Sequence, residues 1–313
     1  MFPGQGSQYV GMGRELFDNF KKARDVFEEA SDTIKINLSR LAFEGPEDKL
    51  NLTANTQPAI LAVSIAALEV LESETAVKAD FLAGHSLGEY SALACSGLFN
   101  FSDSLRIVRK RGALMQKAVP EGEGAMAAIL GMDKGDVSSV CIDAEGGGEI
   151  VSPANFNSPG QIVISGNRKA VERAAELAKE RGAKRALLLS VSVPSHCKLM
   201  EDAALSLRRE IEDLQLGNLN IPVVSNVDAV AYPSKDDAVD LLMRQLSSPV
   251  RWDDSIRYLI NKGVETFIEV GPGRVLGGLV KRIDRSVDIF NIDDPASLKS
   301  LSQKIKKEGE ICN

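Results

Sequence analysis

Residues 55–72, NTQPAILAVSIAALEVLE, have the length and the alanine and leucine content of a helix buried in a core. ADFLAGHS (79–86) then reads as a short buried strand entering a tight turn. LGEYSALACSG (87–97) follows as a helix of small residues that stops at Gly97. A second helix, FSDSLRIVRKRGALMQKAV (101–119), is predicted to start from a Ser102 or Asp103 cap and carries Arg111 in its later turns.

From about residue 124 the pattern changes. AMAAILG (125–131) is strand-like, KGDVSSVCIDA (134–144) helical, and EIVSPANFN (149–157) with GQIVISG (160–166) forms two strands around an Asn-Ser-Pro-Gly turn. RKAVERAAELAKERG (168–182) is amphipathic at helical spacing, and KRALLLSVS (184–192) closes the unit as a strand. The order β-α-β-β-α-β is that of a ferredoxin-like subdomain. Alternating helices and strands resume in CKLMEDAALSLRREIEDL, IPVVSNV, RWDDSIRYLINKG, ETFIEVG and GRVLGGLVKRID. The expected architecture is therefore α/β: a hydrolase-like body with a parallel sheet over 1–122 and 192–313, interrupted by the ferredoxin-like insert 123–191.

Composition narrows what such a body does. The 313 residues are 44% hydrophobic and 26% charged, which is ordinary for a folded domain. A formal net charge of −7 argues against nucleic acid as a partner. No uninterrupted run of about 18 apolar residues occurs, so no membrane association is expected. Cys95, Cys141, Cys197 and Cys312 form no CxxC pair, which points away from a zinc site or disulfide framework and toward a reducing, cytoplasmic setting. No apolar interface stripe stands out, and a monomer is expected.

Gly84-His85-Ser86-Leu87-Gly88 fits G-x-S-x-G, the pattern that exposes a serine on a sharp strand-to-helix turn. Small flanking residues are required because side chains there would clash, and the N–H of Leu87 at the helix start can stabilise an oxyanion. A serine hydroxyl needs a base. His85 is adjacent but belongs to the strand side of the elbow, so it is expected to shape the pocket. His196, the only other histidine, is the candidate base, and no carboxylate is assigned by spacing as its orienting partner. Cys197 reads as a packed thiol. The glycine-rich FPGQGSQYVGMG (2–13) lacks GK[ST] and G-x-G-x-x-G, so it is no phosphate loop; it suits a backbone that closely approaches a ligand. A serine esterase or thioesterase using the same elbow is the rival enzyme reading, and a non-catalytic module that has kept the fold is the rival from another class.

GQGSQ, GHSLGEYSAL, RGALMQ, GAMAAILG, ANFNSPGQIVISG, VPSHCKLM, RQLSSPVRW and EVGPG occur in that order over essentially the whole chain. Together they resemble the malonyl-CoA:acyl carrier protein transacylases. The resemblance implies a ping-pong transfer in which Ser86 carries the malonyl group as an ester and His196 shuttles the proton. It also implies that the main-chain carbonyl of Gln245 orients His196, that the N–H groups of Gln5 and Leu87 form the oxyanion hole, and that Arg111 pairs with the malonyl carboxylate. It implies no cofactor and no metal, with malonyl-CoA and an acidic acyl carrier protein as partners. The carrier would meet a basic rim drawn from Arg106, Arg109, Lys110, Lys184, Arg185, Lys281 and Arg282. Family members carry a short apolar strand ahead of FPGQGSQ, whereas here Met1 abuts Phe2.

Overall fold

The computed structural model describes residues 1–189 and 193–311. Ser190, Val191 and Ser192, at the end of the predicted closing strand, and Cys312 lie outside the described residues. In chain order come helices α1 (Arg14–Asn19), α2 (Lys21–Ile34), α3 (Leu38–Glu44), α4 (Glu47–Leu50) and α5 (Thr53–Glu74), strand β1 (Leu82–Ala83), then α6 (Leu87–Ser96) and α7 (Phe101–Ala118). They are followed by β2 (Gly124–Leu130), α8 (Lys134–Ala144), β3 (Val151–Ser158), β4 (Gln161–Asn167), α9 (Arg168–Glu180) and β5 (Arg185–Leu188). The rest is α10 (Glu201–Glu212), β6 (Val223–Val224), α11 (Ala238–Ser247), α12 (Trp252–Asn261), β7 (Thr266–Val270), α13 (Val275–Ile283), β8 (Asp288–Ile292) and α14 (Pro295–Ile311). The chain is α/β, with parallel and antiparallel pairing.

It divides into two compact units. The first comprises Met1–Arg109, Leu216–Val223 and the chain from Gly263 on; the second comprises Lys110–Gln215 and Val224–Lys262. In the first, β7 and β8 pair in parallel, Thr266 opposite Asp288 through Val270 opposite Ile292. Met1 and Phe2 take the next strand position. The Val270 N–H donates to the Met1 carbonyl at 2.8 Å, and the Phe2 N–H donates to Ala83 at 2.9 Å. The Leu82 N–H then reaches the Pro222 carbonyl at 2.8 Å. Two residues thus hold the strand position that the resemblance assigns to a longer segment.

Helix α5 is long and apolar enough to cross a membrane, but 78% of its most apolar window is buried in the protein, where it serves as a core helix. The expected caps of α7 give way to Asn100, whose Oδ1 accepts the Asp103 N–H at 2.8 Å. Asn is as good an N-cap as Ser or Asp, and this one lies immediately before the first helical residue.

In the second unit the antiparallel order is β3-β4-β2-β5. The two-residue period of β2 puts Ala125, Ala127 and Ile129 into one core with Val137, Val140 and Cys141 of α8 and Ala170, Val171 and Ala174 of α9. The run 123–191 is only part of this unit. Main-chain bonds tie the segment after α11 to β3: Phe156 N–H to the Val250 carbonyl, and Val250 N–H to the Ala154 carbonyl, each at 2.9 Å. Helices α10, α11 and α12 therefore belong to the same compact body as the antiparallel sheet.

Candidate active site

The first unit carries the elbow. Ser86 has φ 51° and ψ −102°, a conformation that L-residues avoid, and α6 begins at the next residue. Two contacts leave room only for glycine. A Cβ on Gly84 would fall 1.9 Å from the Gly88 main chain, and one on Gly88 would fall 2.0 Å from the Phe2 carbonyl oxygen. The Leu87 N–H is among the first-turn donors that lack an acceptor within their own helix. Gly4 packs against the same turn, since a Cβ there would meet the His85 carbonyl oxygen at 2.3 Å and the His85 Nδ1 at 3.4 Å. His85 thus lies against the glycine-rich loop. Gln5, next along that loop, donates through Nε2 to Thr53 Oγ1 at 3.3 Å, and Gln8 Nε2 donates to Asn51 Oδ1 at 2.9 Å. These tethers to the start of α5 were not anticipated from sequence.

The second unit carries Arg111, His196 and Gln245, all fully or almost fully buried. Helix α11 ends at Ser247, so the carbonyls of Gln245 and Leu246 fall among its last four and have no helical donor. His196 takes both. Its N–H donates to Leu246 at 3.1 Å, and its Nδ1 lies 2.7 Å from the Gln245 oxygen. A carbonyl only accepts, so Nδ1 carries the proton and Nε2 presents its lone pair. The grip holds His196 at φ 61°, a left-handed value that is uncommon for a side-chain-bearing residue. Arg111 meets the same residue from another side: its Nη2 donates to Gln245 Oε1 at 3.0 Å.

Cys197, beside the histidine, is buried and bonded; its Sγ donates to the Pro194 carbonyl at 3.2 Å, and burial pushes its pKa up. A thiol so held is a packing residue, as the sequence suggested. Of the basic residues considered for a rim, Arg106 pairs with Asp103 at 2.9 Å, Lys110 with Glu210 at 2.8 Å, and Lys281 donates to the Val287 carbonyl at 2.7 Å. Lys184 and Arg185 are exposed. Among the described residues no group of three or more His, Cys, Asp or Glu side chains is placed to hold a metal ion.

The first unit thus presents a serine on a strained elbow, and the second a histidine ring held through Nδ1 by a main-chain carbonyl. The class is that of the acyltransferases, since a model of the acyl transferase domain matches residues 1–306. The malonyl CoA-acyl carrier protein transacylase of Bacillus subtilis is 49% identical over 310 residues, covering 99% of this chain and 98% of its own. The solved transacylase of that name from Clostridium perfringens superposes with a TM-score of 0.95 at 43% identity, covering 99% of this chain and 98% of its own. A malonyl-transacylase solved in complex with a type II PKS acyl-carrier protein gives 0.93 at 47% identity, covering 96% of each chain. The chain belongs to the malonyl CoA-acyl carrier protein transacylase family.

Proposed function

We propose that the chain moves a malonyl group from coenzyme A to the phosphopantetheine thiol of an acyl carrier protein, in fatty acid synthesis, by a ping-pong mechanism through an ester on Ser86. His196 Nε2 takes the Ser86 proton as Oγ attacks the thioester carbonyl carbon. The N–H groups of Gln5 and Leu87 hold the resulting oxyanion, and its collapse breaks the C–S bond as the imidazolium returns the proton to the departing thiol. In the second half the carrier thiol gives its proton to His196 and attacks the ester, and Ser86 leaves with that proton. Arg111 grips the malonyl carboxylate with its planar guanidinium, which lysine cannot reproduce. No cofactor takes part, coenzyme A being half of the substrate.

The observation that carries this reading is the 2.7 Å contact of His196 Nδ1 with the Gln245 carbonyl, which does the orienting work of a triad carboxylate with main chain alone. We further read the body as hydrolase-like, the antiparallel sheet with its two helices as ferredoxin-like, and the working protein as a monomer.

Incubation with malonyl-CoA followed by intact-mass measurement tests the mechanism. The protein should gain one malonyl group, the Ser86→Ala variant none, and added holo carrier should remove it from the wild type. A mass gain that survives Ser86→Ala would remove the serine from its role.

A further inference from the structure

Gln245 is fully buried and contacts both functional side chains of its unit with different atoms: its carbonyl holds His196 and its side-chain Oε1 holds Arg111. The two jobs separate chemically. Any residue at 245 has a carbonyl for the histidine, but only some side chains can hold a guanidinium. We infer that the Gln245 side chain is a positioning residue that sets the preference for acyl groups bearing a carboxylate, by orienting Arg111 without neutralising it. This rests on the reading of Arg111 as the partner of that carboxylate.

The physics favours an amide at this place. Arg111 is 1% exposed, so its guanidinium has lost most of its water and must be held by protein donors and acceptors. An amide oxygen accepts one N–H and carries no net charge, so the cation keeps its full attraction for an incoming anion. A carboxylate at 245 would form an ion pair with Arg111 and repel a second carboxylate. An apolar side chain would remove this acceptor from the fork and loosen the pre-organisation that makes arginine selective for carboxylates. The contact joins residues 134 positions apart on α7 and α11.

The experiment compares kcat/KM for malonyl-CoA and acetyl-CoA in wild type, Gln245→Met, Gln245→Glu and Arg111→Ala. Each malonyl-to-acetyl ratio is taken within one preparation, so a reduced folded fraction cancels. Gln245→Met is expected to lower the ratio about tenfold, and Gln245→Glu about a hundredfold, the range of one hydrogen bond to a charged group. The pH midpoint of kcat/KM in Gln245→Met should stay at the wild-type value, because the carbonyl that orients His196 remains. A ratio unchanged in both Gln245 variants, with Arg111→Ala lowering it, overturns the inference and leaves the reading of Arg111 standing. A ratio unchanged in Arg111→Ala removes that reading and the inference with it.

Discussion

Glu269, the fourth residue of β7, has no exposed surface and accepts the N–H groups of Leu276 and Gly277 at 3.0 and 2.8 Å, the start of α13. Burial pushes its pKa up, and the two N–H bonds recover only part of that shift. A carboxyl whose folded pKa lies above its unfolded value, about 4.3, binds more protons folded than unfolded. Its contribution is complete below the unfolded value and is lost as pH rises through the folded one. Stability of the wild type relative to Glu269→Gln, which does not titrate, should therefore fall as pH is raised from the acid side through the carboxylate range. Urea unfolding at a series of pH values measures this, and a difference that stays flat or rises with pH would contradict it.

At the scale of elements, the elbow is held by glycine contacts that have no slack. The Gly88 position is 2.0 Å from a main-chain oxygen, which cannot move aside as a flexible side chain could. Gly88→Ala should thus destabilise the protein by about 3 kcal/mol or more, at the upper end of overpacking costs, and abolish acylation of Ser86. Gly278 supplies the contrast: it lies within α13, and a Cβ there meets nothing within 4 Å. Gly278→Ala should gain about 0.5–1 kcal/mol from helix propensity. Denaturant midpoints of the two variants check both signs, and equal effects would remove the steric argument.

The same contacts explain what could be read from sequence. Strand, turn and helix around Ser86 were legible because steric need writes itself locally as G-x-S-x-G. The strands and helices of 124–189 were legible because period 2 gives way to period 3.6 within a few residues. Helix α11 was not. It spans ten residues after a polar loop, and its contribution comes from main-chain carbonyls at its end, which no side-chain pattern encodes. Only resemblance pointed to the Gln245 carbonyl, and nothing pointed to the bond from Arg111, which depends on tertiary placement. The strand position of Met1 and Phe2 was equally hidden, since two residues show no period.

For the whole molecule the decisive quantity is charge. A chain of formal net charge −7 repels an acidic carrier at long range, so productive encounter requires local positive charge. Lys184 and Arg185 are adjacent and exposed at the start of β5, whereas Arg106 and Lys110 are engaged with Asp103 and Glu210. The pair at β5 is thus the better candidate for steering. Exposed charges are screened over about 8–10 Å at ordinary salt, so steering appears as an ionic-strength dependence of the second half-reaction. Transfer from malonyl-Ser86 to holo carrier should slow as salt is raised, while transfer to free pantetheine, a thiol without charge, should not. Lys184→Glu combined with Arg185→Glu should cut kcat/KM for the carrier by about tenfold at low salt and flatten its salt slope. The pantetheine reaction of that double variant should match the wild type, because neither residue belongs to the acylation machinery. A carrier rate indifferent to salt, or a double variant that slows both thiols alike, would take these two residues out of carrier recognition.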